Sequence, residues 1–459
     1  MIELDFLLIY EHKVRELENL CLMKYELDRR GYKTKIVYVD DAKNASADTP
    51  IYHAKVLCTM ACYDNATLRW HAKHFVKFDK VIDLQWENIV YVKDEQRETA
   101  YKNYRGIGKD VVHVSWGKQN VRRLLDVAHL DPKKVKLTGH VGMDFLRAPL
   151  NRYYLSREEV FAKYDIPMDK KVLLFASPYY GDCLTEDYIK NMCDNFGEDW
   201  VDYYDFMCKS QKIVLEWFEK ICQECKDAYV VYRPHPGHPS EMAEKLANKY
   251  SNFRLISAES VKQWIIVCDK VYTGNSSVVV EAFFAKKMCQ LLFPLQTTAG
   301  FELQLITDSD KIVTYDEFYK SVVSDEEVFP TPDSSIENIY LIDWETPNYV
   351  KFANMAEEVL KDDYYRLSKH QLRSYREYSV FEGLMRSLMG ITPLYRFYLS
   401  LINNQKLKWP VLESQRKIRE KSRMRAIEYE KQFLHELTDE KEINDIIERI
   451  RKAMTVINK

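Results

Sequence analysis

The stretch Tyr229–Pro239, YVVYRPHPGHP, decides the fold. Its aromatic and β-branched start reads as a buried strand. Pro234 and Pro236 then fix the local backbone and remove two N–H donors. The chain must turn sharply out of the strand, which presents His235 at the strand's carboxyl end. About forty residues on, Thr273–Ala282 (TGNSSVVVEA) reads as a strand end, a small polar turn and a helix. Two such exits side by side make a floor for a phosphate group. The His235 imidazole can donate to a phosphate oxygen, and Arg233 can add a charge-assisted contact. After Gly274 and Asn275, the hydroxyls of Ser276 and Ser277 stand with free backbone N–H groups at a helix start. Glu281, one turn into that helix, can accept from ribose hydroxyls. The plainer readings are a histidine satisfied by backbone in a tight turn, a serine N-cap with nothing bound, and a helix-packing carboxylate.

Outward from these stretches, strands and helices alternate. Asp5–Glu11 reads as a strand, and Val14–Leu27 has helical apolar spacing closed by Gly31. Lys35–Val39, Ala54–Cys62, Lys80–Trp86, Val111–Ser115 and Lys134–Thr138 continue as strands. Pro149–Asp169 is polar and reads as a linker. Lys171–Ala176 restarts the alternation, followed by a helix at Ser210–Cys225 and strands at Phe253–Ile256, Lys270–Thr273 and Met288–Phe293. Alternation of this kind means α/β halves with parallel sheets covered on both faces. Residues 1–150 and 170–345 are the expected Rossmann-like domains, and 346–459 a helical C-terminal appendage. Asp325–Ser335 reads as a loop. Ligands of open α/β sheets bind at the carboxyl ends of the strands, so the expected site is the cleft between the two halves.

Bulk properties narrow the function. The chain has 459 residues, 30% charged, with a net charge of −3. That balance gives no electrostatic case for nucleic-acid binding. The start, MIELDFLLIYEHK, lacks a basic flank and has too short an apolar run for a signal peptide, and no run approaches a membrane span. A cytoplasmic protein with reduced thiols is expected. Cys222 and Cys225 form a CxxC in a helical pattern, without the second ligand pair that a structural zinc site needs. The basic run RKIREKSRMR, Arg416–Arg425, is read first as a solvated helix face. A contact with anionic lipid head groups at the membrane's inner face is the minority reading. Leu384–Ile402 is read as core or a homodimer contact, with interfacial membrane binding as the weaker alternative.

A strand ending in RPHP followed by a GNSS turn and an EA-containing helix resembles the HP and SS motifs of bacterial sialyltransferases and polysialyltransferases. It also resembles those of capsule Kdo transferases and the CDP-glycerol phosphotransferases of teichoic acid synthesis. TGHVGMD at Thr138–Asp144 looks like the segment closing the first domain of such enzymes, and the opening LLIYEHKVRELENLCLMKYELDRRGY looks like surface-carbohydrate biosynthesis proteins. The resemblance covers about residues 4–300. It implies a GT-B fold, with His235, Ser276 and Ser277 holding the phosphate of a cytidine-nucleotide donor.

An inverting transfer also needs a base for the acceptor hydroxyl. Glu87, ending the strand VIDLQWENI, faces the expected cleft. The related families carry a paired acidic motif followed by glycine in that region, where this chain has QWEN. Glu11 and His12 are rival bases at the first strand's end, and His113 and His140 rank below them. No DxD lies at a strand end, so helix dipole, His and Arg are expected to stabilise the leaving phosphate without a metal or other cofactor. The leading reading is a glycosyltransferase of surface polysaccharide, moving a CMP-activated nonulosonic or Kdo-type sugar to a glycan or lipid-linked glycan acceptor. A CDP-alditol phosphotransferase, a UDP-sugar transferase or epimerase, and a non-catalytic scaffold stay open.

Overall fold

The computed structural model describes residues 2–39, 52–72, 76–86, 88–97, 104–179, 185–235, 240–297, 300–326, 328–374 and 434–455, with scattered positions between 397 and 424. The first sheet contains β1 (Ile2–Tyr10), β2 (Thr34–Tyr38), β3 (Tyr52–Thr59), β4 (Val76–Asp83), β5 (Val112–Ser115) and β6 (Val135–Leu137). Its spatial order is β2-β1-β3-β4-β5-β6. The second contains β7 (Lys171–Ala176), β8 (Ala228–Arg233), β9 (Phe253–Leu255), β10 (Lys270–Thr273), β11 (Cys289–Leu292) and β12 (Lys311–Ile312). Its order is β12-β11-β10-β7-β8-β9. Every registered pair is parallel. Central strands such as β8 are buried along their whole length, because helices cover both sheet faces.

These orders locate the binding crevices. In the first sheet the order reverses between β1 and β3, and in the second between β7 and β10. The crevice of an open α/β sheet opens at such a reversal, beyond the carboxyl ends. Two Rossmann-like parallel sheets, followed among the described residues by helices such as Asn348–Lys361 and Glu440–Thr455, form the GT-B arrangement that the motifs imply.

The segment Pro149–Asp169 departs from its reading as a polar linker. It holds a 3-10 turn at Leu150–Tyr153 and a helix at Arg157–Lys163. Ser156 caps that helix by accepting from Glu159 N, while the Glu159 carboxylate accepts from Ser156 N. Tyr153 and Tyr154 are buried, and both hydroxyls donate to Glu18. The segment is polar because it is a capped surface helix beside a tyrosine anchor. The Asp325–Ser335 loop likewise runs into a helix, Asp333–Ile339, set by Pro332 at its N-cap. The helix expected from Ser210 begins earlier, at Trp200.

The C-terminal helices return to the first domain. Asn348–Lys361 packs on the Lys13–Arg29 helix and on β3 and β4. Glu440–Thr455 buries Ile443, Ile446, Ile447 and Ile450 against Lys13–Arg29 and Leu150–Tyr153. Most of Leu384–Ile402 and of RKIREKSRMR lies outside the described residues, and so do the membrane and dimer readings placed there. Among the described residues no helix is long and apolar enough to cross a membrane.

Candidate functional site

The two motif loops leave strands of the second sheet that flank a common neighbour. β8 ends in Arg233 and β10 in Thr273, and β7 lies between them. Thr273 Oγ1 donates to Ala176 O at 2.7 Å, which ties the end of β10 to that of β7. A side chain at position 274 would have to displace its neighbours. A Cβ there would sit 2.9 Å from Tyr179 Oη and 3.0 Å from Pro178 Cγ. The turn therefore lies tight against the Ser177–Tyr179 exit of β7.

Arg233 is 7% exposed, although it carries a charge. Its Nη1 donates to Ala258 O at 2.8 Å, and its other N–H groups have no partner among the described residues. Burial pushes its pKa below the usual arginine value, while Glu281, Glu259 and Tyr164 oppose the shift. Glu281 is partly buried, and burial raises its pKa against the pull of Lys262 and Arg233. The end of β8 and the first turn of the Val278–Phe284 helix thus face one another electrostatically, with Lys262 as a third charge.

His235 is partly buried just beyond β8, and Pro236–Pro239 lie outside the described residues. Ser276 Oγ accepts from Val278 N at 3.3 Å. Ser277 is the N-cap residue and makes no side-chain capping bond, so its hydroxyl stays available. Asn275 is used structurally. Its Nδ2 donates to Phe301 O at 2.8 Å and its Oδ1 accepts from Leu303 N at 2.8 Å, clamping the following loop.

On the opposing domain, Glu11 and His12 follow β1, beside the reversal of the first sheet. Glu436 arrives there from the C-terminal region, 8% exposed. Its carboxylate accepts from Lys13 N at the start of the Lys13–Arg29 helix, and its carbonyl accepts from Tyr10 Oη at 2.7 Å. His12 Nδ1 lies 3.7 Å from Glu436 Oε1, and His12 Nε2 lies 3.8 Å from Glu11 Oε1. Glu87 lies outside the described residues. His113 is fully buried, with Nδ1 3.0 Å from Asp83 Oδ2 and Nε2 2.8 Å from Gly108 O, which makes it a structural histidine.

A cleft of about 910 Å³ lies between the two domains, and among the described residues of the expected site it is lined by Arg233 but not by Glu11, His12, His235, Asn275, Ser276, Ser277 or Glu281. Arg233 and the Ser257–Ser260 loop line it from the second domain, Lys13 and Glu18 from the first, and Lys441 and Arg449 from the last helix. The sequence reading did not place that helix in the cleft. The signal that could have found it is the isoleucine spacing from Ile443 to Ile450, an apolar stripe that needs a partner.

The Glu436 contact sets a pH dependence. The Glu436 carboxylate, 3.7 Å away, is the largest cause that raises the His12 pKa above 6.5, and Glu11 and Glu16 add to it against burial and Arg15. Burial works to raise the Glu436 pKa, but His12, Lys13 N and His435 outweigh it and leave the value lowered. The histidine term is fully present below its unfolded pKa and is lost as pH rises through the raised folded value. The carboxylate term is present above its unfolded pKa and is lost as pH falls through the depressed one. Docking of residues 434–455 is therefore expected to be tightest near pH 5.5–6, between the two transitions. Hydrogen exchange of this segment should speed up at pH 8.5 relative to pH 6, after correction for intrinsic rates, and His12→Ala should shrink the difference, leaving the part that rests on His435, 3.3 Å from Glu436 Oε1.

No family model matches the chain, and no curated protein matches it either. Among solved structures, the wall teichoic acid polymerase TagF is 12% identical, covering 78% of this chain and 88% of that one, with a TM-score of 0.49. A putative UDP-N-acetylglucosamine 2-epimerase from Listeria monocytogenes is 14% identical over 78% and 96% of the two chains, with a TM-score of 0.45. S. aureus MnaA with UDP is 13% identical over 80% and 97%, with a TM-score of 0.44.

Proposed function

We propose that the protein is a glycosyltransferase of surface-glycan assembly that takes its sugar from a cytidine nucleotide, a CMP-activated nonulosonic or Kdo-type donor. The observation that carries this reading is Arg233, a desolvated guanidinium with spare donors, lining the cleft at the end of β8. Burying an unpaired cation costs several kcal/mol, about what an incoming anion returns. The chain supplies the rest of a phosphate floor around β7, with His235 on one side and Ser276 and Ser277 on the other. Glu281 receives the ribose hydroxyls. Across the cleft, Glu87 or His12, with Glu11 beside it, takes the acceptor proton. Arg233, Lys262 and His235 meet the charge that develops on the leaving phosphate, so transfer proceeds without a metal cofactor.

The test is thermal melting with CMP, CDP, UMP and UDP. Ligand binding to the folded state raises the melting temperature as its concentration passes Kd. CMP is expected to stabilise selectively, and EDTA to leave the shift unchanged. Stabilisation by CDP alone would move the reading to a CDP-alditol phosphotransferase, and by UDP alone to a UDP-sugar enzyme. No shift with any of the four would make the protein a scaffold. His235→Ala is expected to weaken CMP binding about 10–100-fold, the worth of a hydrogen bond to a charged group.

A further inference from the structure

Three polar side-chain atoms at the seam between the domains are buried without a hydrogen-bond partner among the described residues: Asn19 Oδ1, Trp86 Nε1 and His140 Nδ1. Asn19 is 1% and Trp86 6% exposed. The three residues come from distant parts of the first domain. Asn19 lies on the helix after β1, Trp86 follows β4, and His140 follows β6. Asn19 and His140 meet at Gly142, and Trp86 joins them through the His140 ring. A Cβ at that position would stand 2.7 Å from Asn19 Oδ1, 2.6 Å from His140 Cε1 and 3.0 Å from His140 Nδ1. The rings of Trp86 and Trp116 stand edge-on to His140, with centroids 5.6 and 4.2 Å away, and Tyr340 adds a third ring at 6.2 Å. The Val141–Leu146 turn that follows His140 packs on the Val261–Val267 and Val278–Phe284 helices of the second domain, which carry Lys262 and Glu281.

Each unpaired buried polar group costs about 1–3 kcal/mol, and native structures carry few of them. Grouped around His140, these three offer an incoming ligand unmet polar partners. Their chemistry selects its class. The Trp86 indole can only donate. Asn19 Oδ1 can only accept, because the amide's orientation is fixed by Nδ2 donating to Arg15 O at 2.9 Å. Burial holds the His140 ring neutral, with a pKa near 3, so its Nδ1 can serve either way. A phosphate or carboxylate would meet Asn19 Oδ1 with repulsion, and an apolar group would leave all three unpaired. A hydroxyl both donates and accepts, and the surrounding rings suit the C–H faces of a polyol.

We propose that Asn19, Trp86 and His140 form a subsite for the hydroxyl groups of a sugar or alditol, the part of the donor that the second domain's phosphate floor does not hold. This rests on the nucleotide-dependent reading above, and it deepens that reading by naming the residues that read the transferred group. The subsite and the phosphate floor are separable by experiment, because a bare nucleotide engages only the floor.

The full chain is labelled with 5-fluorotryptophan, which gives signals from its eight tryptophans, and Trp86→Phe assigns the Trp86 signal. CMP-N-acetylneuraminate, CDP-glycerol and UDP-N-acetylglucosamine are each titrated against the matching bare nucleotide. The Trp86 signal is expected to move with a sugar- or alditol-linked nucleotide and to stay in place with the bare one. Asn19→Leu, close in shape, and His140→Ala should each weaken the linked nucleotide about tenfold while the bare nucleotide changes less than about twofold. Asn19→Leu should leave the ligand-free melting temperature equal or higher, since it removes an unsatisfied acceptor, whereas a residue with only a structural role would lower it. An unmoved Trp86 signal at saturation, or equal losses for linked and bare nucleotides, overturns the subsite while leaving the nucleotide site in place. If no nucleotide binds, the functional reading fails by itself. Free glycerol and N-acetylglucosamine at about 50 mM then decide the subsite, which stands if the Trp86 signal moves and falls if it does not, water alone filling the space.

Discussion

Replacing Arg233 with methionine is expected to remove nucleotide-induced stabilisation and to leave the ligand-free protein as stable as before, or more so. The side chain is 7% exposed and makes one hydrogen bond, to Ala258 O. Its spare donors make it costly to bury and valuable to an anion. Charge-assisted contacts to a phosphate are worth about 1.5–3 kcal/mol each, so loss of a two-contact clamp should weaken CMP or its congeners by at least 100-fold. Methionine keeps most of the volume and removes the desolvated charge. Replacement of a poorly paired buried ion by an apolar side chain is often neutral or stabilising. The measurement is a pair of melting curves, with and without nucleotide. A ligand-free protein several degrees less stable, still bound by nucleotide, would show Arg233 to be structural and sink the assignment.

Lys80→Met is expected to show the opposite pattern, a large loss of stability without direct loss of nucleotide contacts. Lys80 sits on β4 and is 2% exposed. Its ammonium donates to Val359 O, Leu360 O and Asp362 O at 2.8–2.9 Å, closing the C-terminal end of the Asn348–Lys361 helix. Burial alone makes the ammonium unfavourable and lowers its pKa. Three carbonyls that would otherwise be orphaned, together with the negative end of the helix dipole, offset that cost. Removing the cation strands these acceptors, at about 3–5 kcal/mol. In a chain of 459 residues that corresponds to a fall of roughly 3–5 °C in melting temperature. Hydrogen exchange should localise the damage to residues 356–362, and a fall under about 2 °C would refute the capping role. Lys270 repeats the device in the second domain, where its ammonium reaches Ser321 O, Val322 O and Ser324 O beyond the Tyr315–Val323 helix.

These two positions also separate what a local reading could reach from what it could not. The position of Arg233 was legible because it is local, at a strand's end two residues before a histidine and ahead of a proline turn. The position of Glu281 was legible for the same reason, one turn into a helix after a small polar loop. Asn275 shared that loop and was read with it, yet its amide clamps Phe301 and Leu303, partners that no local pattern announces. Lys80 alternates with apolar neighbours in a buried strand and gives no sign that it will meet a helix end some 280 residues later. His140 was visible at a strand end but ranked low, since its weight comes from Trp86, Trp116 and Asn19, brought to it by three separate elements. The Pro149–Asp169 segment shows the converse, because its capping box at Ser156 and Glu159 was written locally and was outweighed by the segment's polarity.

By itself, then, the sequence determined the α/β alternation, the two halves, and the strand exits that carry Arg233, His235, Ser276 and Ser277. Backbone periodicity, proline and small-residue turns act over a few residues, so they are written where they operate. Only the tertiary structure decided the order of the strands, and with it the placement of the β8 and β10 exits on either side of β7. It also decided that the last helix lines the cleft, that Glu436 meets His12, and that Asn19, Trp86 and His140 share one unpaired seam. Those outcomes depend on which surfaces bury one another across hundreds of residues, a free-energy balance of the whole chain that no local stretch records.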